Sequence, residues 1–153
     1  MIRRLQEFLE QQGVTYQVNR HAEAYTAQEV AAKSHVSGRY LAKVVIVKRG
    51  EGFVMTVLPA ACRVSLDRLK EILASEEVAL AKEAEFVKLF PDCEPGAMPP
   101  FGNLYAVEVY VDEEIAARPE IVFQGGTHRE LVTVAYRDFA RLVQPKVVEF
   151  CAH

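Results

Sequence analysis

The spacing of apolar residues divides the chain into helical and extended stretches. Ile2, Leu5, Phe8 and Leu9 fall on one face of a helix that Gly13 ends. Later stretches show either helical spacing with capping residues or the alternation and short apolar runs of strands. The other predicted helices cover residues 26–34, 65–73, 82–90 and 136–143. The predicted strands cover residues 14–18, 44–47, 53–58, 104–111, 120–123 and 131–135.

Two pairs of predicted strands are joined by turns that contain glycine. The sequence Arg49-Gly50-Glu51-Gly52 separates the second and third strands, which predicts a β-hairpin. The last two strands are expected to pair around Gly125-Gly126. Helices and hairpins are mixed without a repeating strand–helix–strand order. The sequence therefore predicts an α+β fold with a mixed, mostly antiparallel sheet.

Length and composition predict a single domain over residues 1–153. Hydrophobic residues make up 50% of the chain and charged residues 25%, and the length is sufficient to bury a core without staples. No apolar run approaches the length of a membrane span, and the first residues lack the apolar core of a signal peptide. We therefore expect a cytoplasmic protein with no membrane partner.

The three cysteines, Cys62, Cys93 and Cys151, are an odd number and are widely spaced. The chain has no CxxC pair and no Cys/His pair at the separation typical of zinc ligands. These features favour reduced cysteines and argue against a structural zinc site. The sequence predicts no metal and no cofactor.

Charge is distributed unevenly along a chain whose formal net charge is −3. Residues 1–50 hold 8 Lys or Arg against 4 Asp or Glu, whereas the rest of the chain is acidic. A segment without acidic residues contains five of the bases, and such a segment either contacts phosphates or forms a solvated edge. These bases are Lys33, Arg39, Lys43, Lys48 and Arg49.

Residues 96–102, Gly-Ala-Met-Pro-Pro-Phe-Gly, form a loop of unusual composition. Gly96 allows the backbone to approach a ligand closely. Pro99 and Pro100 fix their own φ angles, lack N–H donors and restrict the residues before them, so the loop is stiff. Its remaining N–H groups point in set directions, which suits a carbonyl oxygen or a developing oxyanion. The alternative is a stiff surface turn.

Three further residues have both a chemical and a structural interpretation. Lys43 begins an apolar strand, where a lysine either belongs to a site or protects a sheet edge. His128 follows a double glycine that would expose its ring to a pocket, although a lone histidine often only packs. Cys93 lies near the stiff loop, but no histidine is its sequence neighbour, which favours packing over a role as nucleophile. Motifs of α/β-hydrolases, zinc proteases and Walker-type NTPases are absent.

Taken together, these residues resemble the YbaK/prolyl-tRNA-synthetase-associated editing domain family. The resemblance lies in Lys43 opening a strand, in Gly96-x-x-x-Pro100 leading into Phe101-Gly102, and in Gly125-x-x-His128. Residues 21–26, His-Ala-Glu-Ala-Tyr-Thr, are similar to the family's N-terminal segment. The elements occur in family order from about residue 5 to residue 148. The resemblance implies a curved sheet surrounded by helices.

The resemblance also implies an aminoacyl-tRNA deacylase that hydrolyses mischarged tRNA in trans. In this family the glycine-rich loop binds the aminoacyl carbonyl through backbone amides, and the lysine contacts the phosphate or ribose of the terminal adenosine. A ribose hydroxyl of the tRNA helps to activate water, which agrees with the lack of a side-chain nucleophile here. An aminoacyl ester is labile, so positioning and oxyanion stabilisation can suffice.

Candidate site residues follow from this resemblance and from the basic segment. Catalysis is assigned to Lys43, Gly96 and His128. Substrate binding is assigned to Tyr25, Thr26, Ala97, Met98, Pro100, Phe101, Gly102, Gly125 and Gly126, with Met98 and Phe101 as walls of a small pocket. Contacts to tRNA are assigned to Lys33, Arg39, Lys48 and Arg49.

His128 is similar to the histidine of members that remove alanine from mischarged tRNA(Pro). Val44 departs from these members, because alanine-specific ones often carry asparagine there. We expect a small amino acid, with alanine first and serine, threonine and cysteine open. The alternative function is a non-catalytic module that binds tRNA acceptor ends or a synthetase. Mischarged tRNA is the expected partner, a synthetase is an open one, and the sequence sets no oligomeric state.

Overall fold

The computed structural model describes residues 1–20 and 41–153. Residues 21–40 lie outside the described part. The predicted helix at 26–34 and the assignments of Tyr25, Thr26, Lys33 and Arg39 therefore stay predictions. No helix in the described ranges is long and apolar enough to span a membrane.

Helices and strands alternate irregularly along the described chain. The α-helices are α1 (Arg3–Gln11), α2 (Leu66–Leu73), α3 (Glu83–Phe86), α4 (Glu113–Ala116) and α5 (Tyr136–Val143), with 3₁₀ turns at Val87–Leu89 and Gly102–Tyr105. The strands are β1 (Tyr16–Arg20), β2 (Ala42–Arg49), β3 (Gly52–Pro59), β4 (Arg63–Val64), β5 (Val78–Leu80), β6 (Glu108–Asp112), β7 (Glu120–Gln124), β8 (Glu130–Ala135), β9 (Lys146–Val148) and β10 (Cys151–Ala152).

Within the described ranges the strands form three sheets rather than one. The largest has the order β5-β2-β3-β6-β9, in which β6 runs parallel to both its neighbours and the other pairs are antiparallel. The second has the antiparallel order β1-β8-β7, and β10 pairs with β4 in a short ribbon. A parallel bridge between Leu41 and Val122 brings the start of β2 beside β7. The predicted α+β fold with mixed, mostly antiparallel pairing is confirmed.

Both predicted hairpins are present. β2 and β3 pair along their full lengths and leave a two-residue turn, Gly50-Glu51. β7 and β8 pair up to Gln124 opposite Leu131, and the glycine turn that carries His128 follows directly. Two antiparallel strands therefore anchor this turn on both sides.

The main core lies between the two larger sheets and is centred on Phe101, which is fully buried. Its ring contacts the rings of Phe8, Phe123 and Phe139, with centroid separations of 6.2, 5.5 and 5.5 Å. Burying such a side chain contributes about 1.5–3 kcal/mol. This placement corrects the expectation that Phe101 forms a wall of a substrate pocket, because the ring is enclosed by other core residues.

A second core lies on the other face of the five-stranded sheet, where Leu69 and Leu73 of α2 pack near Phe150. The Ser65 side chain accepts a hydrogen bond from the N–H of Arg68 and caps α2 at the predicted position. α2 and α5 form where the apolar spacing predicts them.

The buried carboxylate of Asp112 holds the last described residues against the sheet. One of its oxygens accepts from the N–H groups of Phe150 and Cys151 at 2.9 Å each, and the other accepts from the N–H of Glu114 at 3.0 Å. A disulfide joins Cys151 to Cys62. This bond corrects the prediction that the cysteines stay reduced, because the pairing of β10 with β4 joins residues 89 positions apart.

Three predicted elements differ in extent from those observed. The helix expected at 82–90 is the short α3 followed by a 3₁₀ turn, a common way for a helix to tighten at its end. The strand expected at 104–111 begins only at Glu108, because the N–H of Val107 donates to the carbonyl of Gly102 and closes a turn. The first strand lies two residues later than expected.

Gly126 and Gly13 provide a matched pair for testing the packing of the glycine turn. Both have positive φ angles, of 95° and 67°, so alanine costs about 1–2 kcal/mol of strain at either position. A Cβ at Gly126 would also lie 2.4 Å from Ile2, whereas none of the surrounding atoms is within 4 Å at Gly13. Such overpacking adds about 1–3 kcal/mol.

We expect Gly126→Ala to lower the free energy of unfolding in urea by about 2–5 kcal/mol, the sum of strain and overpacking. Gly13→Ala should lower it by about 1–2 kcal/mol, from strain alone. Equal losses in the two variants would contradict close packing of the turn against α1.

Candidate active site

Two backbone hydrogen bonds join the stiff loop to the glycine turn between β7 and β8. The N–H of Glu94 donates to the carbonyl of Gly126 at 2.8 Å, and the N–H of Gly126 donates to the carbonyl of Ala97 at 2.9 Å. The Glu94 carboxylate accepts from the N–H of His128 at 2.6 Å. Loop and turn are thus one rigid unit, in which Glu94 is a linking residue that sequence reasoning did not assign.

The loop opens with a type II turn over residues 94–97. The N–H of Ala97 donates to the carbonyl of Glu94 at 3.0 Å, and Pro95 and Gly96 occupy the two central positions. The second central position of a type II turn needs a positive φ, and Gly96 has φ 84°. The turn therefore explains both the proline and the glycine of this sequence.

His128 fixes the orientation of the peptide between Pro95 and Gly96. Its ring is 5% exposed, and Nε2 lies 2.8 Å from the Pro95 carbonyl oxygen. A carbonyl oxygen only accepts, so Nε2 carries the hydrogen in this contact. The Cε1 atom of the ring would lie 3.6 Å from a Cβ on Gly96. The structure thus brings two of the predicted catalytic residues together.

The N–H of Gly96 points away from His128. In a trans peptide the C=O and the following N–H point in opposite directions, and the described residues contain no cis peptide. The described part of the chain offers no acceptor to this N–H, and Gly96 is exposed. The N–H is therefore available to an acceptor on a ligand.

Other predicted binding residues of the loop are buried. Ala97 and Pro100 are enclosed, and Met98 is 4% exposed within the main core. A Cβ on Gly102 would lie 2.3 Å from the carbonyl oxygen of Val107, so this glycine allows close packing. These residues shape the loop from inside, which corrects the expectation that Met98 forms a pocket wall.

Gly125 and Gly126 lie against the start of α1. The N–H of Ile2 donates to the carbonyl of Gly125 at 2.8 Å. A Cβ on Gly125 would lie 2.8 Å from Val132, and one on Gly126 would meet the side chain of Ile2. Close packing is sufficient to explain why both positions are glycine. Contact of Gly125 and Gly126 with substrate stays a prediction.

Lys43 lies close in register to the glycine turn. β2 and β7 run in the same direction from the bridge between Leu41 and Val122, so Lys43 and Gln124, the residue before the turn, each lie two residues beyond it on their own strands. Residues two apart on a strand share a face, which puts Lys43 and Gln124 on the same side. The register thus brings the predicted lysine to the end of the strand that leads to His128.

Arg63 of β4 adds a second positive charge near Lys43. Burial, and to a smaller extent repulsion from Arg63, lowers the pKa of Lys43 from its ordinary value. Among the described residues neither side chain has an acidic partner. Two cations without a counter-ion favour an anionic ligand, and sequence reasoning missed Arg63 because only the fold brings it near Lys43.

Gln124 is a third residue that sequence reasoning missed. It is 6% exposed, and its amide nitrogen is buried without a hydrogen-bond partner among the described residues. Leaving a buried polar group unsatisfied costs about 1–3 kcal/mol. The only sequence signal was a polar residue at the end of an otherwise apolar strand, just before the glycines.

Lys48 and Arg49 lie at the far end of β2. Lys48 bonds Glu85 at 2.6 Å and Arg49 lies 3.8 Å from Glu108. Five residues of strand separate Lys43 from Lys48 by about 17 Å, and the two side chains point to opposite faces. The described bases of the segment therefore do not form one patch, and contacts of Lys48 and Arg49 with tRNA stay a prediction.

Cys93 packs beside Tyr105 with 3.2 Å between the thiol and the hydroxyl. Burial raises the pKa of the Cys93 thiol to about 11, so the thiol stays protonated near neutral pH. A thiolate is needed for nucleophilic attack. The structure therefore supports packing rather than catalysis for this cysteine.

Comparison with known proteins identifies the class and the family of this protein. The family described as "Aminoacyl-tRNA editing domain" matches residues 21–142. The "Multifunctional Ser/Thr-tRNA deacylase ProXp-y" of Escherichia coli K12 is 29% identical to this chain over an alignment 155 residues long. The alignment covers 96% of this chain and 90% of that protein. The protein of the same description from Escherichia coli O157:H7 gives the same values.

Two solved structures share the fold. A trans-editing candidate for prolyl tRNA synthetase has a TM-score of 0.84 at 23% identity, covering 99% of this chain and 96% of that chain. The hypothetical protein APE2540 has a TM-score of 0.86 at 23% identity, covering 97% of this chain and 99% of that chain. The fold is that of the aminoacyl-tRNA editing domains. The chain belongs to the aminoacyl-tRNA editing domain family, and the resemblance drawn from its motifs is confirmed.

The repulsion between Arg63 and Lys43 can be tested by titration. Arg63→Ala should raise the pKa of Lys43 because it removes a nearby positive charge, while burial keeps the pKa below its ordinary value. The pKa is measured by ¹³C NMR of reductively methylated lysines, with the Lys43 signal assigned from Lys43→Arg. Arg68→Ala, which removes an arginine from the nearby α2, should leave this pKa unchanged. An unchanged Lys43 pKa in Arg63→Ala would show that the two charges do not interact.

Proposed function

We propose that this chain hydrolyses the ester bond of mischarged aminoacyl-tRNA that carries a small amino acid, with serine and threonine ahead of alanine. The observation that carries the proposal is the exposed N–H of Gly96, which His128 directs outward through the Pro95 carbonyl. This donor belongs to the same loop-and-turn unit to which the register of β2 brings Lys43.

Lys43 and Arg63 bind the phosphate or ribose of the terminal adenosine in this proposal. Burial, and to a smaller extent repulsion from Arg63, disfavours the charged form of Lys43 in the free protein. An anion placed between them removes that penalty and strengthens both contacts, since a half-buried lysine is less screened than an exposed one. The pair thereby fixes the acceptor end of the tRNA relative to the loop.

The Gly96 N–H receives the aminoacyl carbonyl oxygen. Water adds to the carbonyl carbon, the oxygen becomes an oxyanion, and the fixed N–H stabilises that charge as it develops. The tetrahedral intermediate then expels the ribose oxygen. His128 Nε2 is engaged by Pro95, so it positions the donor. The neighbouring ribose hydroxyl of the tRNA accepts the proton from water and passes its own proton to the departing ribose oxygen. No step of this scheme uses a metal.

Gln124 supports serine and threonine over alanine. Its buried amide nitrogen lacks a partner among the described residues, and the hydroxyl of a seryl or threonyl group would accept from it. Alanine has no such acceptor. The Escherichia coli relative is described as a Ser/Thr-tRNA deacylase, which points to the same preference. From the sequence alone, alanine was expected first because of His128, so Ala-tRNA is tested beside Ser-tRNA and Thr-tRNA.

The setting of this activity follows from the substrate. We place the protein in the cytoplasm, where charged tRNA is used, with the acceptor end of mischarged tRNA as its partner. One structural neighbour is described as a trans-editing candidate for prolyl tRNA synthetase, so tRNA(Pro) and its synthetase are the first RNA and protein partners to test.

Lys43→Ala should lower kcat/KM for deacylation roughly 100-fold, since the loss of a positioning contact commonly has an effect of that size. Lys48→Ala is the matched control on the same strand. It should stay near wild type because Lys48 is paired with Glu85 and lies far from the loop. The measurement is release of radiolabelled serine from Ser-tRNA(Pro) and Ser-tRNA(Thr). Equal rates for both variants would show that Lys43 is not part of the site. If the wild type hydrolyses none of the mischarged tRNAs, the alternative of a non-catalytic binding module is favoured.

Gln124→Met should lower kcat/KM for Ser-tRNA about 2- to 12-fold, the value of a neutral hydrogen bond of about 0.5–1.5 kcal/mol. Methionine has nearly the same size but no donor. Hydrolysis of Ala-tRNA on the same tRNA should change little, because alanine offers no hydroxyl. An equal loss of kcat/KM on both substrates would mean that Gln124 does not bind the hydroxyl of the seryl side chain.

A further inference from the structure

Four potential metal ligands meet where β10 pairs with β4, on residues that the candidate active site does not use. They are Cys62, Glu114, Cys151 and His153, whose donor atoms all lie within 4.8 Å of one another. Cys62 is buried, while the side chain of His153 is 71% exposed. Two sulfurs, an imidazole and a carboxylate are all ligand types that zinc accepts.

The distances between these atoms are close to those of a tetrahedral site. Zinc bonds of about 2.0–2.3 Å place tetrahedral ligands about 3.3–3.8 Å apart. The Cys62 sulfur lies 3.8 Å from the Glu114 carboxylate and 3.9 Å from His153 Nε2. The Cys151 sulfur lies 3.7 Å from His153 Nε2, which is 3.0 Å from the Glu114 carboxylate. The two bonded sulfurs must move apart by rotation of their side chains, and the exposed His153 ring must move slightly away from the carboxylate.

We propose that these four residues bind one Zn²⁺ when the disulfide between Cys62 and Cys151 is reduced. A dithiol reductant gives two electrons and two protons to the disulfide, yields two thiols and becomes a disulfide itself. Zn²⁺ then replaces the two thiol protons, which pass to water. All four positions are filled by protein ligands, so the site is structural and does not offer an open position for catalysis.

Zinc would replace the disulfide as the link between β4 and β10 in a reducing compartment, where disulfides are rare. The surrounding backbone is already held, because Asp112 accepts from the N–H groups of Phe150 and Cys151, and Glu114 follows at the start of α4. β4 also carries Arg63 directly after Cys62. The link therefore helps to hold Arg63 in place near Lys43. This inference does not depend on the proposed deacylation.

The experiment measures Zn²⁺ binding by the full chain without tRNA. Protein is reduced under nitrogen or oxidised to the disulfide, and each form is titrated with Zn²⁺ against a chromophoric chelator. Reduced wild type should bind one Zn²⁺ per chain, with two thiols protected from alkylation, and the oxidised form should bind none. Substituting Co²⁺ should give the absorption of a tetrahedral thiolate complex.

Variants separate the site from unspecific thiol binding. Cys93→Ser is the matched control and should keep full binding, whereas the double variant Cys62→Ser with Cys151→Ser should lose it. His153→Ala changes an exposed side chain, so it leaves the fold intact, and it should weaken Zn²⁺ binding at least 10-fold, the lower bound for losing even an outer-shell partner. Absence of zinc binding by reduced wild type, equal binding by both redox forms, or unchanged affinity in His153→Ala would overturn the proposal.

Discussion

The hydrogen bond from His128 Nε2 to the Pro95 carbonyl oxygen is the interaction on which the candidate site depends. It spans 2.8 Å between a ring that is 5% exposed and a turn of fixed shape. Because the ring is shielded from solvent, water competes little for either partner. The peptide cannot rotate without losing this bond, so the next N–H keeps one direction. A backbone donor held in this way is pre-organised, which is what oxyanion stabilisation requires.

Two positive charges lie close together at the candidate site. Several other bases of the described chain pair with a carboxylate, as Lys48 does with Glu85. Lys43 and Arg63 have none among the described residues, and burial together with their mutual repulsion lowers the pKa of Lys43. The protein carries this electrostatic cost in its free state. An anionic ligand such as a phosphate would relieve the repulsion between the two cations.

Local signals in the sequence were sufficient for several of the elements and for part of the site. The Ser65 cap predicted α2, the glycine turns predicted both hairpins, and the loop motif drew attention to Gly96 and His128. Lys43 was found because it opens an apolar strand. These features depend on residues within one turn or strand of each other.

Other features depend on contacts between distant segments, which spacing cannot reveal. Gln124 became a candidate only because the bridge between Leu41 and Val122 aligns β7 with β2. The link of Cys62 to Cys151 needs the ribbon of β4 and β10. Phe101 looked like a pocket residue because it lies beside the glycine loop, but the two prolines before it are buried and the ring enters the core.

The central claim is that the Gly96 N–H, held by His128, binds the aminoacyl carbonyl. The most direct measurement is ¹⁵N NMR of the protein with a hydrolysis-resistant seryl-adenosine in which an amide replaces the ester. We expect the Gly96 amide proton to shift downfield and become protected from exchange, and His128→Ala to lose both effects. An unperturbed Gly96 signal in a protein saturated with the analogue would contradict the claim, as would the same shift in His128→Ala.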